Sequence, residues 1–374
     1  MKKLIDMLIA FQNISDCIRG ELTLNIDEQK QVRALFHECR KHLHQNNDMM
    51  WIDSFQNYFE AECSTIKKYR MEGLLKGQFF DSIVNVKEAA FKDVSSPILI
   101  CVVKNEKLRL KHIFPIYRKL GIHQFAIIDN DSTDGSMEFC LEQPDTAVFS
   151  VKEIFSSPKH VGWINQLLSK YGFQRWYLII DADEILDYAG SERYAVQDII
   201  HWAEKNHIDR IRALQVEMYT KKALFSEKDD NIDWFGPWYF DVDSYEKQDM
   251  LKCPWILGGP RKRILHTYSL LTKFPLFFLR EDDLNISMHY LYPYEKNFLS
   301  PCVLALKHYE FINHVDFQHW QRIISQGIFA SGSREYKEMN QWLNPSTTFY
   351  FSKSCAYHRS EDLLAISELK RIMI

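Results

Sequence analysis

From residue 96 to residue 187 the chain alternates short, wholly apolar runs with longer stretches that are apolar at every third or fourth position. ILICVV (98–103), FAIIDN (125–130), TAVFSV (146–151) and WYLII (176–180) are rich in β-branched and aromatic residues and too short for buried helices, so they read as buried parallel strands. Between them KLRLKHIFPIYRKLG reads as a helix ending at Gly121, with a kink expected at Pro115. SMEFCLEQ and HVGWINQLLSKYGF read as two further helices. Strands and helices alternating at these lengths predict an α/β domain, a mostly parallel sheet with helices on both faces. Ligands of such sheets sit beyond the carboxyl ends of the strands.

The flanks follow a different period. In IDEQKQVRALFHECRKHLHQ the residues Val32, Leu35, Phe36, Cys39 and Leu43 share one helical face, and Trp51, Phe55, Tyr58 and Phe59 continue the pattern. Residues 1–95 are therefore expected to be a helical extension. It would either pack on the main domain or offer a surface to a membrane or a protein partner. After the fourth strand, SERYAVQDIIHWAEKN predicts a helix and RIRALQVEMY a strand. From 311 the chain is expected to be helical again, with elements at HVDFQHWQRIIS and EDLLAISELKRIM. The expected division is 1–95, 96–310 and 311–374.

Composition narrows the class. The 374 residues are 46% hydrophobic and 14% aromatic, ample for a core and incompatible with wholesale disorder. A formal charge of −4 gives no reason to expect nucleic acid as a partner. The eight cysteines lie at least 22 positions apart, which excludes CxxC-type sites and reads as reduced, mostly buried thiols. Asp6 interrupts the apolar start and no small-residue cleavage site follows, so no signal peptide is expected. No uncharged run approaches the roughly 18–20 residues that span a bilayer. These points favour a cytoplasmic protein, with peripheral contact at the inner membrane face open to the N-terminal helices. The sequons at Asn13, Asn130 and Asn285 then carry no meaning.

Three polar clusters stand where strands end: KNE (104–106), DNDSTDGS (129–136) and DADE (181–184). Two carboxylates two positions apart past a strand end can hold a divalent cation and leave room for phosphates. They can equally cap the next helix. In DNDSTDGS, Asp129 closes a strand and the following residues can hydrogen-bond their own backbone. An acid there can also accept hydrogen bonds from a base edge or ribose hydroxyls.

ICVVKNE, then IIDNDSTDGS, then LIIDADE, in this order and spacing, resemble the family 2-like glycosyltransferases with the GT-A fold. The similarity is greatest to a branch that carries DNxSTDGS, DxDE and a later GGPRKR segment; it is strong over 97–187 and weaker to about 310. The resemblance implies a GT-A fold, a nucleotide-sugar donor that is usually UDP-linked, Mn²⁺ or Mg²⁺, and transfer to an acceptor hydroxyl on a glycan or glycolipid. It implies that Asn105 and Glu106 lie at the nucleoside, Asp129 and Asp131 near base and ribose, and Asp181 and Asp183 at the metal. A later histidine often joins the metal in this fold, and His308, after CVLAL, is preferred to His289. An inverting member needs a base, usually in an ED motif about a hundred residues past the metal motif. REDDL places Glu281 or Asp282 there, although the aromatic residues usual after it are absent; Asp241 and Asp243 are rivals.

GGPRKRIL adds Arg261, Lys262 and Arg263 beside two glycines, a flexible basic loop suited to the donor diphosphate or an anionic acceptor, or else a solvated turn. WFGPWYF (234–240) either stacks on sugars or fills a core. Two other classes remain in view. A haloacid dehalogenase-type phosphatase would use the first Asp of DADE as nucleophile, with a downstream pair such as Asp282 and Asp283 assisting. That motif normally opens its domain, whereas three strands precede it here. A non-catalytic binding protein on the same fold is the other. The expectation is a glycosyltransferase, hexosyltransferase-like and inverting by family habit, in bacterial surface polysaccharide or lipopolysaccharide synthesis.

Overall fold

In chain order the strands of the computed structural model are β1 (Val84–Lys87), β2 (Ile98–Val103), β3 (Phe125–Asp129), β4 (Thr146–Ser150), β5 (Arg175–Asp181), β6 (Glu184–Asp187), β7 (Arg210–Glu217), β8 (Trp238–Phe240), β9 (Tyr245–Met250), β10 (Cys253–Gly258), β11 (Thr272–Leu279), β12 (Leu284–Asn285), β13 (Leu291–Tyr292), β14 (Cys302–His308) and β15 (Cys355–Tyr357). The helices are α1 (Lys107–Lys119), α2 (Ser136–Leu141), α3 (Ser157–Tyr171), α4 (Val196–Lys205), α5 (Gly259–Leu265), α6 (His314–Gln326) and α7 (Ala330–Asn340). The structure describes residues 83–372 apart from 156, 228–235, 251–252, 282, 286, 293–295, 298 and 328–329.

Nine strands form one sheet in the order β1-β4-β3-β2-β5-β11-β7-β14-β6. Six of them (β2, β3, β4, β5, β7 and β14) run the same way, while β1, β11 and β6 oppose them. The alternation of side chains along β2 shows why both faces are covered. Ile98 and Ile100 join Trp163, Ile164, Leu167 and Leu168 of α3 on one face. Leu99, Cys101 and Val103 join Leu110, Ile113, Phe114 and Tyr117 of α1 and Val196, Ile199 and Ile200 of α4 on the other. Helix α1 runs through Pro115 without ending there.

The opposed strands decide what reaches the functional edge. Strand β11 starts beside the end of β5 and finishes beside its start, since Leu276 pairs with Leu178 and Leu279 with Arg175. The edge formed by the ends of β3, β2, β5, β7 and β14 therefore also receives the beginnings of β11 and β6. A residue just past β11 lies at the opposite end of the sheet.

The expected helices before residue 83 lie outside the described residues. Within the expected 1–95 extension, β1 is a strand that pairs antiparallel with β4 and extends the sheet. The expected C-terminal helix at EDLLAISELKRIM is a 3₁₀ turn over Ser360–Ala365 followed by more turns. Its buried residues Leu363, Ile366, Leu369 and Ile372 recur every three positions, a spacing served by three-residue turns rather than an α-helix. β15 pairs with β8, and Phe311, Trp320 and Phe349 pack with Tyr219 and Leu265, so the chain after 311 is joined to the core of the preceding part. In the aromatic run, Trp238 and Phe240 are buried core residues. No helix among the described residues is long and apolar enough to cross a membrane.

Candidate functional site

The first two clusters close on each other. Asn105 N–H donates to Ser132 Oγ at 2.9 Å, and Thr133 N–H donates to Asn105 Oδ1 at 2.8 Å. Glu106 N–H donates to Ser136 Oγ, and Asp134 accepts from Lys107 N–H and from Ser136 N–H and Oγ. Gly135, at φ 86°, passes so close to Lys107 that a Cβ would stand 2.7 Å from its Nζ. Asp129 is fully buried at the end of β3; its Oδ1 accepts from Ser132 N–H, and its Oδ2 is buried without a partner. Asp131 is exposed, with φ 58°. Asn105 thus serves the loop, whereas Asp129 keeps an acceptor oxygen uncommitted.

DADE divides into three roles. Glu184 is 0% exposed; its Oε2 accepts from Asp181 N–H at 3.0 Å, and its Oε1 accepts from Gln215 Nε2 and Lys273 Nζ. It closes the turn. Lys273, 6% exposed at the start of β11, also donates to Asp181 Oδ2 at 2.8 Å. Burial opposes its charge, but Asp181 and Glu184 outweigh burial and push the Lys273 pKa up. Asp181 and Asp183 are the members open to solvent, at 32% and 24%.

His308 reaches Asp183 through strand register. Glu184 pairs with His308 across β6 and β14, and Tyr309 N–H donates to Asp183 O at 2.9 Å. His308 Nε2 stands 3.2 Å from Asp183 Oδ2 and Nδ1 3.0 Å from Glu217 Oε1. Burial disfavours the imidazolium, but Glu217 and Asp183 hold the His308 pKa well above its ordinary value. Glu217 ends β7, and its Oε2 is buried without a partner.

The basic stretch is not a flexible loop. GPRKRIL folds as the short helix α5, in which Arg261 is buried and pairs with Glu217 and, at 2.7 Å, with Glu310. Arg263 donates through Nε and Nη2 to Asp241 and also bonds Phe349 O. Both guanidiniums are held by acids of their own chain. A further cation, Arg109 of α1, joins Glu106 at 2.8 Å to Asp316 of α6. Burial raises the Glu106 pKa to about 7 against the opposing pull of Arg109.

Asn105, Glu106, Asp129, Asp131, Asp181, Asp183, His308 and Arg261 thus meet at one edge. Glu281 does not. It follows β11, is exposed, and lies at the far end of the sheet from Asp181; Asp282 lies outside the described residues. The neighbouring Asp283 is buried against Arg210 and Lys296. The rivals are likewise placed: Asp241 is committed to Arg263 and Tyr219, and Asp243 is exposed. His289 is held by Thr272 O, and burial lowers its pKa to about 4.

The pattern of residues missed Lys273, Glu217 and Arg109. Two of these left a signal. Lys273 is the lone charge in the apolar strand TKFPLFFL, and Glu217 closes RIRALQVE as Asp129 and Asp181 close their strands. Nothing in the sequence couples Arg109 to Asp316, 207 positions away.

The donor set fits a hard divalent cation: two solvent-facing carboxylates, an imidazole backed by a third, and that third carrying an unpartnered buried oxygen. Glu217, His308 and Glu310 also bring ligating atoms within 4.8 Å of one another. Arg261 pairs with Glu217 and Glu310 there, so that inner group already holds a cation.

No protein-family model and no curated protein matches the chain. Among solved structures, S. aureus TarS 1–349 aligns at 14% identity and a TM-score of 0.25 over 35% of this chain and 40% of its own. Glucosyl-3-phosphoglycerate synthase from Mycobacterium tuberculosis, solved with Mn²⁺, UDP and glucosyl-3-phosphoglycerate, aligns at 10% identity and a TM-score of 0.23 over 36% and 52%. This chain therefore spans about half or less of the neighbours it matches. At TM-scores this low neither likeness says what the chain does.

Proposed function

We propose that the chain is a metal-dependent glycosyltransferase of the GT-A type. In this reading it moves a sugar from a nucleotide-sugar donor, UDP-linked by the motif resemblance, to an acceptor hydroxyl on a glycan or glycolipid. The observation that carries the proposal is the meeting of Asp129, Asp181, Asp183 and His308 at one sheet edge, although 179 positions separate the first from the last. A bland capping role does not account for it, because Asp181 and Asp183 enter a strand turn and not a helix, and the capping work there is done by Glu184.

The residues have separable tasks. Asp129, with its unmatched Oδ2, suits a hydroxyl or N–H of the nucleoside, since a buried acceptor left unmade costs about 1–3 kcal/mol. Asp181, Asp183 and His308 would hold Mn²⁺ or Mg²⁺, which would neutralise charge on the departing nucleoside diphosphate. His308 Nε2 and Asp183 Oδ2, 3.2 Å apart, would both serve as ligands once the ring is neutral, and Glu217 at Nδ1 would hold the ring in place for them. Lys273 holds Asp181 by one oxygen and so fixes the direction of the other. Surface polysaccharide or lipopolysaccharide synthesis is the setting proposed by resemblance.

The test is a panel of nucleotide sugars incubated with the protein and Mn²⁺ or Mg²⁺. Release of nucleoside diphosphate that stops on chelation supports the proposal. Hydrolysis of simple phosphate esters with no response to any nucleotide sugar contradicts it and favours the phosphatase reading.

A further inference from the structure

With Arg261 and Arg263 bound to acids, the cations free to meet an anionic donor must lie elsewhere along the edge. Helix α6 supplies one. Its first turn is fixed: Asn313 caps Asp316 N–H at 2.9 Å, while Asp316 accepts from Ile312 and Asn313 N–H and binds Arg109 beside Glu106. Helix positions three apart share a face, so His319 and Arg322 continue the line that Asp316 begins. Arg322 Nη2 lies 2.8 Å from His319 Nδ1. Arg322, Arg109, Asp183 and Lys104 lie near enough to act on the charge of His319, and Glu106 on that of Arg322, so this face of α6 is turned towards the acids of the site. Burial, followed by Arg322, lowers the His319 pKa to about 4, so a neutral ring receives the guanidinium N–H.

The other deeply placed cations of this edge are each matched by two carboxylates: Arg109 by Glu106 and Asp316, Lys273 by Asp181 and Glu184, and Arg261 by Glu217 and Glu310. Arg322 and Lys104 differ. Among the described residues neither has a carboxylate in salt-bridge contact; Lys104 Nζ rests on the carbonyls of Asn130 and Asp131, and Arg322 Nε is buried without a partner. A half-buried guanidinium oriented by a neutral ring, with a lysine in electrostatic reach of that ring, suits an anion with several oxygens.

We propose that Arg322, oriented by His319, and Lys104 bind the diphosphate of the nucleotide donor. This rests on the glycosyltransferase reading and names residues that reading does not require. Calorimetry with Mn²⁺ selects the nucleoside diphosphate bound most tightly from UDP, GDP, CDP and dTDP, and its nucleoside serves as the phosphate-free control. Arg322→Gln should weaken the diphosphate at least tenfold and the nucleoside less than twofold, with Arg322→Lys in between. Arg334→Gln, which removes an exposed charge on α7, should change neither. Thermal melts establish that each variant is folded. Diphosphate affinity within twofold of wild type in Arg322→Gln overturns this inference and leaves the glycosyltransferase reading standing, as does an equal loss for nucleoside and diphosphate. Wild-type protein that binds none of the four diphosphates overturns both.

Discussion

Lys273 shows how much depends on a single buried charge. It is the only described cation bonded to the acids of DADE other than through His308, and it touches one acid that faces solvent and one that never does. Replacing it with methionine leaves the buried Glu184 without the charge that offsets its desolvation. Breaking a buried pair in this way costs about 3–5 kcal/mol. Lys273→Met should therefore lower the midpoint of urea unfolding, and Lys273→Met with Glu184→Gln should recover most of the loss; equal midpoints in the two variants would show that the ammonium does not compensate Glu184. Arg261 makes the same argument from the other side. A flexible loop closing on the donor diphosphate would make Arg261→Ala raise the donor KM. The buried pairing with Glu217 and Glu310 predicts a destabilised protein instead, with a cost of about 3–5 kcal/mol in chemical denaturation.

Strand direction decides which residues of similar chemistry matter. Asp181 and Glu281 are both acids at or just past the ends of apolar strands, and nothing in their local sequence ranks them. They separate because β5 and β11 run in opposite directions, a property of chain pairing invisible in either segment. Glu281→Gln should leave metal-dependent donor hydrolysis within twofold of wild type, whereas Asp183→Asn should reduce it at least a hundredfold; a comparable loss in Glu281→Gln would contradict the topology. Strands β2 to β5 were legible in the sequence because fully apolar runs bounded by polar turns have few other uses, whereas β1, with three of its four residues exposed, was not. The later ones mix antiparallel neighbours and a register set by β14, so His308 could be ranked by resemblance but not connected to Glu217. The C-terminal helix was misread for a physical reason as well: buried residues at a strict interval of three resemble a helical stripe until the hydrogen bonds are seen to close after three residues.

Across the molecule seven of the edge's carboxylates (Glu106, Asp181, Asp183, Glu184, Glu217, Glu310 and Asp316) pair with Arg109, Lys273, Arg261 and His308, and Asp129 and Asp131 stand beside them. Acids in excess of cations, at the carboxyl ends of a sheet, suit the metal ion and nucleotide that the proposed function requires. Segments far apart in sequence are tied together to build it, with Arg109 and Asp316 bridging α1 and α6. The most direct test is calorimetric titration of UDP into wild-type protein and Asp183→Asn, each with and without Mn²⁺. The account predicts saturable binding to the wild type that requires Mn²⁺ and disappears in the variant. UDP binding that is indifferent to Mn²⁺, or equal in the two proteins, would contradict it.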